Sequence, residues 1–485
     1  MALAAPVLFC LNAYGEIQDT KDVVRAILEN NFDLKISKMS TKEKGTSVES
    51  ARGDYDINLS LSATRDHSDT PSSSSLDSTG AASSVKSKTD TYSTTLSKKF
   101  FFGTELSLPY TYNVVDSTST SRRVRKTHEP SLGLTMSHPI LETFFPDYLE
   151  KGIKSAELDR EIAKHKHGEK LVKEVDKGLK LFLDCLQEHV TLKVRTLAHK
   201  NAIENLEMVS AKRRVGKASL IDKLDASSDE RKKFNSKVST QTKYNTKRGE
   251  FELHAFGEKD QGEIDYDDLT SVLEDLPDIS KKNDEAILVD KSMSRKEESK
   301  RIEKSIRKNK TAFKNAKVDR LPDFDFDASL TYKGLNHKQG RAHDQVWAAK
   351  YASWSIGTSL EYSIMGYAAN SSKKLNAYKT VQENLKKAKL AGQTRADLKK
   401  NHNLLISGEK KIEALGVVVD ADKEKYKLLF LKYKNGKATL YELKKALQSR
   451  EESELQLLKS KVSFLKDFYQ FKKSSGQLLE VFFTK

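Results

Sequence analysis

The chain has 485 residues, of which 37% are hydrophobic and 32% charged, with only 22 Gly and 8 Pro. So few helix and strand breakers favour long regular elements and disfavour a compact α/β enzyme, which needs many Gly-rich βα turns. Lys and Arg total 85 against 69 Asp and Glu, a formal net charge of +16. The basic residues are interleaved with acids along the whole length. Without a basic block or a nucleic-acid module, no nucleic-acid partner is expected.

Residues 1–15 read as the remnant of a signal peptide. A short apolar stretch, Ala2 to Leu11, precedes Ala13-Tyr14-Gly15, a small-x-small pattern suited to signal peptidase. Beyond residue 15 no apolar run reaches the ~18 residues of a membrane-spanning helix. A β-barrel stays open, because its signal is alternation.

Residues 16–257 form a first repeat, opening with a helix over about 17–52. The period then changes to two across a strand region at about 54–138. Tyr55, Ile57, Leu59 and Leu61 alternate with Asp56, Asn58, Ser60 and Ser62. Leu106, Leu108, Tyr110, Tyr112 and Val114 alternate with Glu105, Ser107, Pro109, Thr111 and Asn113. Four strands are expected, at about 54–64, 92–100, 104–115 and 131–138. Polar loops at 66–91 and 116–130 contrast with the tight turn Phe101-Phe102-Gly103. One apolar and one polar face over about ten residues suits a lipid-facing barrel strand, and equally a half-buried soluble sheet.

A long helix follows at about 148–212. Val172, Val175, Leu179, Phe182, Leu186, Val190, Val194 and Leu197 mark one stripe at steps of three and four. About 65 residues at ~1.5 Å each make on the order of 100 Å of helix, which must pack side by side with neighbours as a coiled coil or α-barrel. A tip turn at 213–219 leads to a shorter helix. The acidic segment 258–279 then breaks the period and separates the repeats, as an equatorial linker.

The second repeat, residues 280–485, has a helix over about 280–319 and a β-hairpin at about 323–364. There Phe324, Phe326, Ala328, Leu330 and Tyr332, then Trp354, Ile356, Thr358, Leu360 and Tyr362, hold the apolar phase. A long helix at about 367–432, a tip turn at 433–439 and a final helix complete it. Gly216-Lys217-Ala218-Ser219-Leu220 recurs as Gly436-Lys437-Ala438-Thr439-Leu440, with Asp222 and Glu442 six residues after each Gly. Ala26-Ile27-Leu28 likewise answers Ala286-Ile287-Leu288. These matches mark a duplication.

Catalytic constellations are missing: there is no GxSxG, P-loop, HExxH or paired CxxC. No enzyme activity, metal site or cofactor is expected. Cys10 and Cys185 are too few and too far apart for a disulfide framework or a Cys-based zinc site, and Cys185 reads as a small core residue. His165 and His167 face different sides of a helix. Asp323-x-Asp325-x-Asp327 lacks the Gly and Glu of a calcium loop, having Ala328 and Gly334 there.

The order and spacing of these elements resemble the TolC family of outer-membrane efflux proteins over nearly all of residues 16–480. The resemblance rests on the duplicated helix–hairpin–helix plan, on Tyr433-Lys434-Asn435-Gly436 with Leu440 and Glu442, and on Ser137-His138-Pro139-Ile140-Leu141. It implies a mixed α/β membrane protein: a homotrimeric outer-membrane β-barrel continued by a long periplasmic α-helical barrel of coiled coils. It implies an exit duct for drugs, small molecules or secreted polypeptides in a Gram-negative bacterium. A periplasmic adaptor and an inner-membrane pump or ABC exporter would be its partners. Pro139 falls at the family's strand-to-helix swivel. Asp222 and Glu442 fall at acidic pore-lining positions, with Asp225 and Lys445 further candidates for the constriction. Arg213, Arg214, Gly216, Lys217, Tyr433, Gly436 and Lys437 would form the tip turns and meet the adaptor. With four strands in the first repeat, the barrel has either 12 strands plus an extra hairpin or 18. The alternative function is a soluble structural coiled-coil protein binding an acidic partner.

Overall fold

The computed structural model describes residues 20–71, 84–119, 123–257, 272–273 and 285–483. The leader at 1–15 and all but two residues of the acidic segment 258–279 lie outside them.

The chain runs through one order of elements twice. The first pass comprises α1 (Thr20–Asn30), α2 (Phe32–Arg52), β1 (Ile57–Pro71), β2 (Ser84–Lys99), β3 (Glu105–Ser119), β4 (Arg123–Pro139), α3 (Pro146–Leu149), α4 (Lys151–Arg214) and α5 (Leu220–Phe256). The second comprises α6 (Glu285–Arg295), α7 (Glu297–Val318), β5 (Asp323–Lys333), α8 (Gln339–Trp347), β6 (Tyr351–Glu361), α9 (Tyr367–Lys434), α10 (Leu440–Ser474) and the short α11 (Glu480–Phe483). Each opening helix, expected as one piece, is broken at a single residue, Asn31 or Lys296. Asn31 spends its side chain off the helix axis. Its Oδ1 accepts from the Leu34 amide (3.1 Å) and its Nδ2 donates to the His254 carbonyl (2.9 Å). Lys296 sends its ammonium sideways to Thr394 Oγ1 at 2.8 Å.

Two compact units divide these elements. The helical unit comprises residues up to Thr41, Ala163–Ile302 and Leu385 onward. Its core joins Val23 and Ile27 of α1, Val175, Leu179, Phe182 and Leu186 of α4, Phe251 of α5, and Val462 and Leu465 of α10. Phe182 is fully buried, its ring centroid 5.5 Å from that of Phe251. Cys185 is a buried core residue. Past Val190 the buried line of α4 leaves the expected stripe: Leu197 is exposed and Ala198, Ala202 and Val209 are buried instead. In α9 the inward positions Leu398, Leu405, Ile412, Val419, Tyr426 and Tyr433 recur every seven residues, the seam of a coiled coil.

The second unit, Lys42–Ile162 and Glu303–Asn384, holds the sheet. Six strands pair antiparallel in the order β1-β2-β3-β4-β5-β6. The first four are longer than the alternation indicated, because the residues at 65–70, 86–91, 116–117 and 126–129 are polar in both phases. Their backbone ladder continues regardless, with a bidentate Arg65–Asp90 pair (2.5 and 3.1 Å) bridging β1 and β2. Within this unit α7 is stitched to α4 by Lys304–Glu161 (2.9 Å) and Lys308–Asp159 (2.6 Å).

Phe182→Ala removes one of the two largest fully buried side chains of the helical core, the other being Phe251. It should lower the stability of that unit by about 3–5 kcal/mol. The check is the denaturant midpoint of the helical circular dichroism signal; an unchanged midpoint would contradict this core.

Candidate functional site

The register turns the alternation of single strands into a continuous surface. Leu59 pairs with Leu96 and Leu96 with Leu108, while Leu134 pairs with Leu330 and Leu330 with Trp354. Tyr110 opposite Leu132 puts Leu108 and Leu134 in the same row. Neighbouring rows on this face hold Leu106 with Met136, and Ala328 with Ile356. The opposite face carries small polar side chains, including Ser60, Thr95, Ser107, Thr135, Ser329 and Ser355. Cross-strand hydroxyl pairs Ser62–Ser93 (2.7 Å) and Ser329–Ser355 (2.8 Å) lie on it.

Aromatic residues flank the apolar rows at both ends. Tyr92 and Tyr112 stack at 6.2 Å and Tyr112 stacks on His128 at 5.9 Å toward the β3–β4 connection. At the other end Phe100 and Phe102 stack at 5.3 Å in the β2–β3 turn, with Tyr55 against Phe101 at 4.5 Å. On β3 the apolar phase runs from Leu106 to Val114, eight steps of ~3.4 Å or about 27 Å along the strand. At the ~35–45° tilt of barrel strands that run spans about 20 Å of height, a little under the ~25 Å apolar band between the aromatic girdles of a membrane barrel. The β5–β6 connection contains α8. Tyr110 Oη contacts His343 Nε2 at 2.8 Å, so α8 folds back on the apolar side.

Two strand-to-helix transitions leave this sheet. Pro139 ends β4 opposite Asp325, and its carbonyl accepts from Thr143 Oγ1 at 2.5 Å. The second transition uses Gly366, at φ 55°, beneath the Arg320 guanidinium, which donates to the carbonyls of Ser363 (2.6 Å) and Ile364 (3.0 Å). A Cβ at Gly366 would lie 2.7 Å from that guanidinium, so no larger residue fits without moving it.

In the helical unit the two tip turns are built alike. The Gly216 amide donates to Arg213 O at 3.0 Å and the Lys217 amide to Lys212 O at 2.8 Å. Gly436 and Lys437 repeat this on Tyr433 O (3.1 Å) and Lys432 O (2.8 Å). This double closure requires a left-handed residue, and Gly216 and Gly436 have φ 70° and 72°. The following helices begin with matched capping boxes. The amides of Asp222 and Glu442 donate to Ser219 Oγ (3.0 Å) and Thr439 Oγ1 (3.2 Å). The two carboxylates accept from the Ser219 and Thr439 amides at 2.8 Å each. Hydrogen bonds from Ser219, through its hydroxyl and then its amide, hold Asp222 below its ordinary pKa; the Thr439 amide and then hydroxyl do the same for Glu442. The cap-forming Ser219 and Thr439 escaped notice as functional residues, although Ser/Thr-x-x-acid at the start of a helix is the signal for them.

The tips also touch each other. Lys212 Nζ lies 4.0 Å over the Tyr433 ring, and Tyr433 is buried. Lys444 Nζ reaches the Asp225 carbonyl at 3.5 Å, and further up Lys233 pairs with Glu451 at 2.6 Å. Tyr433 therefore packs inside the tip. Arg213, Arg214, Lys217, Lys437 and Lys445 are exposed. His165 contacts Glu297 (2.6 Å) and His167 contacts Ser37 (3.1 Å), so the two histidines have separate partners. Among the described residues no group of His, Cys, Asp or Glu could hold a metal, and no helix is long and apolar enough to cross a membrane.

Two long helical hairpins and one amphipathic meander sheet define the fold. No protein-family model and no curated protein matches the chain. Among solved structures it is similar to the outer-membrane channel OprN at 12% identity and TM-score 0.68, over 94% of this chain and 90% of that one. It is similar to the Campylobacter jejuni outer-membrane channel CmeC at 11% identity and TM-score 0.68, over 95% and 86%. The open-state Neisseria gonorrhoeae channel MtrE gives 12%, 0.65, 96% and 91%. The fold is that of the TolC-family outer-membrane channels.

Ser219→Ala with Thr439→Ala should leave the fold intact but raise amide exchange in the first turns of α5 and α10. In the unsubstituted chain the caps hold while the carboxylates are ionised. A depressed pKa stabilises above the unfolded value, ~4, and that contribution is lost as pH falls through the folded one. Protection of these turns should therefore persist through neutral pH and weaken only in acid. Exchange unaffected by the double substitution would contradict the caps.

Proposed function

We propose that the chain is an outer-membrane exit duct of a tripartite efflux or type I secretion system. The observation that carries this reading is the six-strand sheet, with a leucine-rich row on one face and hydroxyls on the other. In the outer membrane of a Gram-negative bacterium the first face meets lipid and the second lines water. The helices extend into the periplasm as an α-barrel, and three copies complete the duct. Exposed apolar residues of α9, such as Val417 (70%) and Leu428 (57%), support packing against further copies. A soluble coiled-coil protein would need the helices but leaves the sheet unexplained.

The duct itself does no chemistry; an inner-membrane pump or ABC exporter supplies the energy and an adaptor joins it to the duct. Arg213, Arg214, Lys217, Lys434 and Lys437 offer the adaptor a basic surface around the glycine turns. Asp222 and Glu442, with Asp225 and Lys445, are candidates for charged rings at the constriction, where every residue would occur three times. The first two carry a second duty as helix caps, so their charge and the tip geometry are coupled. Pro139 would act as the swivel between strand and helix, and the acidic segment 258–279 as a belt at the waist.

Fractionation of the expressed chain tests the placement. Phe326→Arg and Leu108→Arg should each destabilise the barrel by about 2–4 kcal/mol if near the bilayer midplane. Asp325→Arg, on the other face, should be tolerated. Equal tolerance at all three positions would indicate a soluble sheet. At the tips, Lys217→Glu with Lys437→Glu should abolish export from an inserted oligomer through lost charge complementarity. Asp222→Asn with Glu442→Gln should change cation preference in planar bilayers while keeping cap-competent side chains. Unchanged export and conductance would leave the tips as turns only.

A further inference from the structure

The sheet has two open edges, and their sequences indicate what closes them. Neither β1 from Ile57 to Thr64 nor β6 from Ala352 to Leu360 contains a charge or a proline. Free edges are normally blunted by such residues, because bare amides and carbonyls recruit another strand. Both edges also carry apolar side chains that are largely exposed among the described residues: Leu59 is 62% exposed, Leu61 72%, Trp354 73% and Ile356 65%.

We propose that β6 of one copy pairs antiparallel with β1 of the next, so that all six strands of each copy form the wall of one closed barrel. On the exit-duct reading, which supplies the membrane and the three copies, that wall has eighteen strands. Two features favour this over a four-strand contribution with β1 and β2 as an external hairpin. The row Leu59, Leu96, Leu108, Leu134, Leu330, Trp354 crosses all six strands at one level. A hairpin projecting into water would have no use for its first two members. The edge of β3 that a neighbour would need is already filled by β2, through fifteen residue pairs without a register shift from Val85–Ser119 to Lys99–Glu105. Antiparallel closure is open to either arrangement, since a meander of four or of six strands enters and leaves on the same side. The last strand therefore runs opposite to the first strand of the next copy, as antiparallel closure requires. A wall of 16–18 strands leaves an aqueous channel, and the small hydroxyl side chains of the inner face would not fill it.

The test uses the full chain, with Cys10 and Cys185 replaced by Ala, expressed and fractionated before any bridge is sought. Cysteine at Ser60 is combined with a cysteine at Ser353, Ser355, Gly357 or Ser359 in turn. One combination should give disulfide-linked species ending at three chains, while cysteine at Ser107 with the same β6 positions gives none. Leu59→Arg and Leu96→Arg should deplete the heat-modifiable oligomer as severely as Leu330→Arg. Bridging from Ser107, failure of all Ser60 pairs in inserted protein, or full tolerance of Leu59→Arg and Leu96→Arg would each overturn the six-strand wall and leave the exit duct standing. Absence of the chain from the outer membrane would instead remove the duct reading and the barrel together.

Discussion

A sheet with one leucine-rich face, and with edges free of charge and proline from Ile57 to Thr64 and from Ala352 to Leu360, gains most when that face and those edges are both covered. Burying one large apolar side chain is worth about 1.5–3 kcal/mol, and here the side chains of six strands share one face. Every unpaired amide at an edge adds a further cost in an apolar medium. The two demands are met together when the apolar face meets hydrocarbon and the edges meet other copies. The hydroxyl face then encloses water as a consequence.

The helical unit follows from a different constraint. Few glycines and prolines allow α4 and α9 to run for 64 and 68 residues, so the chain must place its reversals deliberately. It does so twice with the same chemistry: Gly in the left-handed region, two backbone closures onto the preceding helix, and a Ser or Thr cap answered by an acid. Duplication accounts for the matching geometry. The two tips are not equivalent at their surfaces, because Tyr433 is buried under Lys212 where the first tip has Arg213 exposed to solvent. Basic side chains thus dominate one turn, while the other has an aromatic anchor within it.

Much of this was legible in the sequence because period and spacing are local signals. Alternation located the apolar part of β1, β3, β5 and β6, and the recurrence of Gly216 at Gly436 located both turns. Other features depended on partners far along the chain. The outer halves of β1 to β4 carry no apolar phase, being polar but for Val85, Val115 and Val124, and only the ladder reveals them. Helix α8 hides in a polar stretch because its buried positions, Ala342 and Val346, are too few to set a period. The break at Asn31 depends on His254, and the burial of Tyr433 on Lys212, each more than two hundred residues away. Asp222 and Glu442 show a different difficulty: the same acids that resemble pore-lining residues satisfy a capping box. Spacing alone does not separate those two roles.

The placement of the leucine row in hydrocarbon is the central claim, and the chain carries its own probe. It has two tryptophans, Trp347 on α8 and Trp354 within the row. In a Trp347→Phe variant assembled in bilayers, the fluorescence of Trp354 reports its depth through lipids brominated at different positions along the acyl chain. Strong quenching, greatest for bromines deep in the acyl region, is the result expected for a lipid-facing sheet. Emission from a water-exposed indole that no brominated lipid quenches would contradict it.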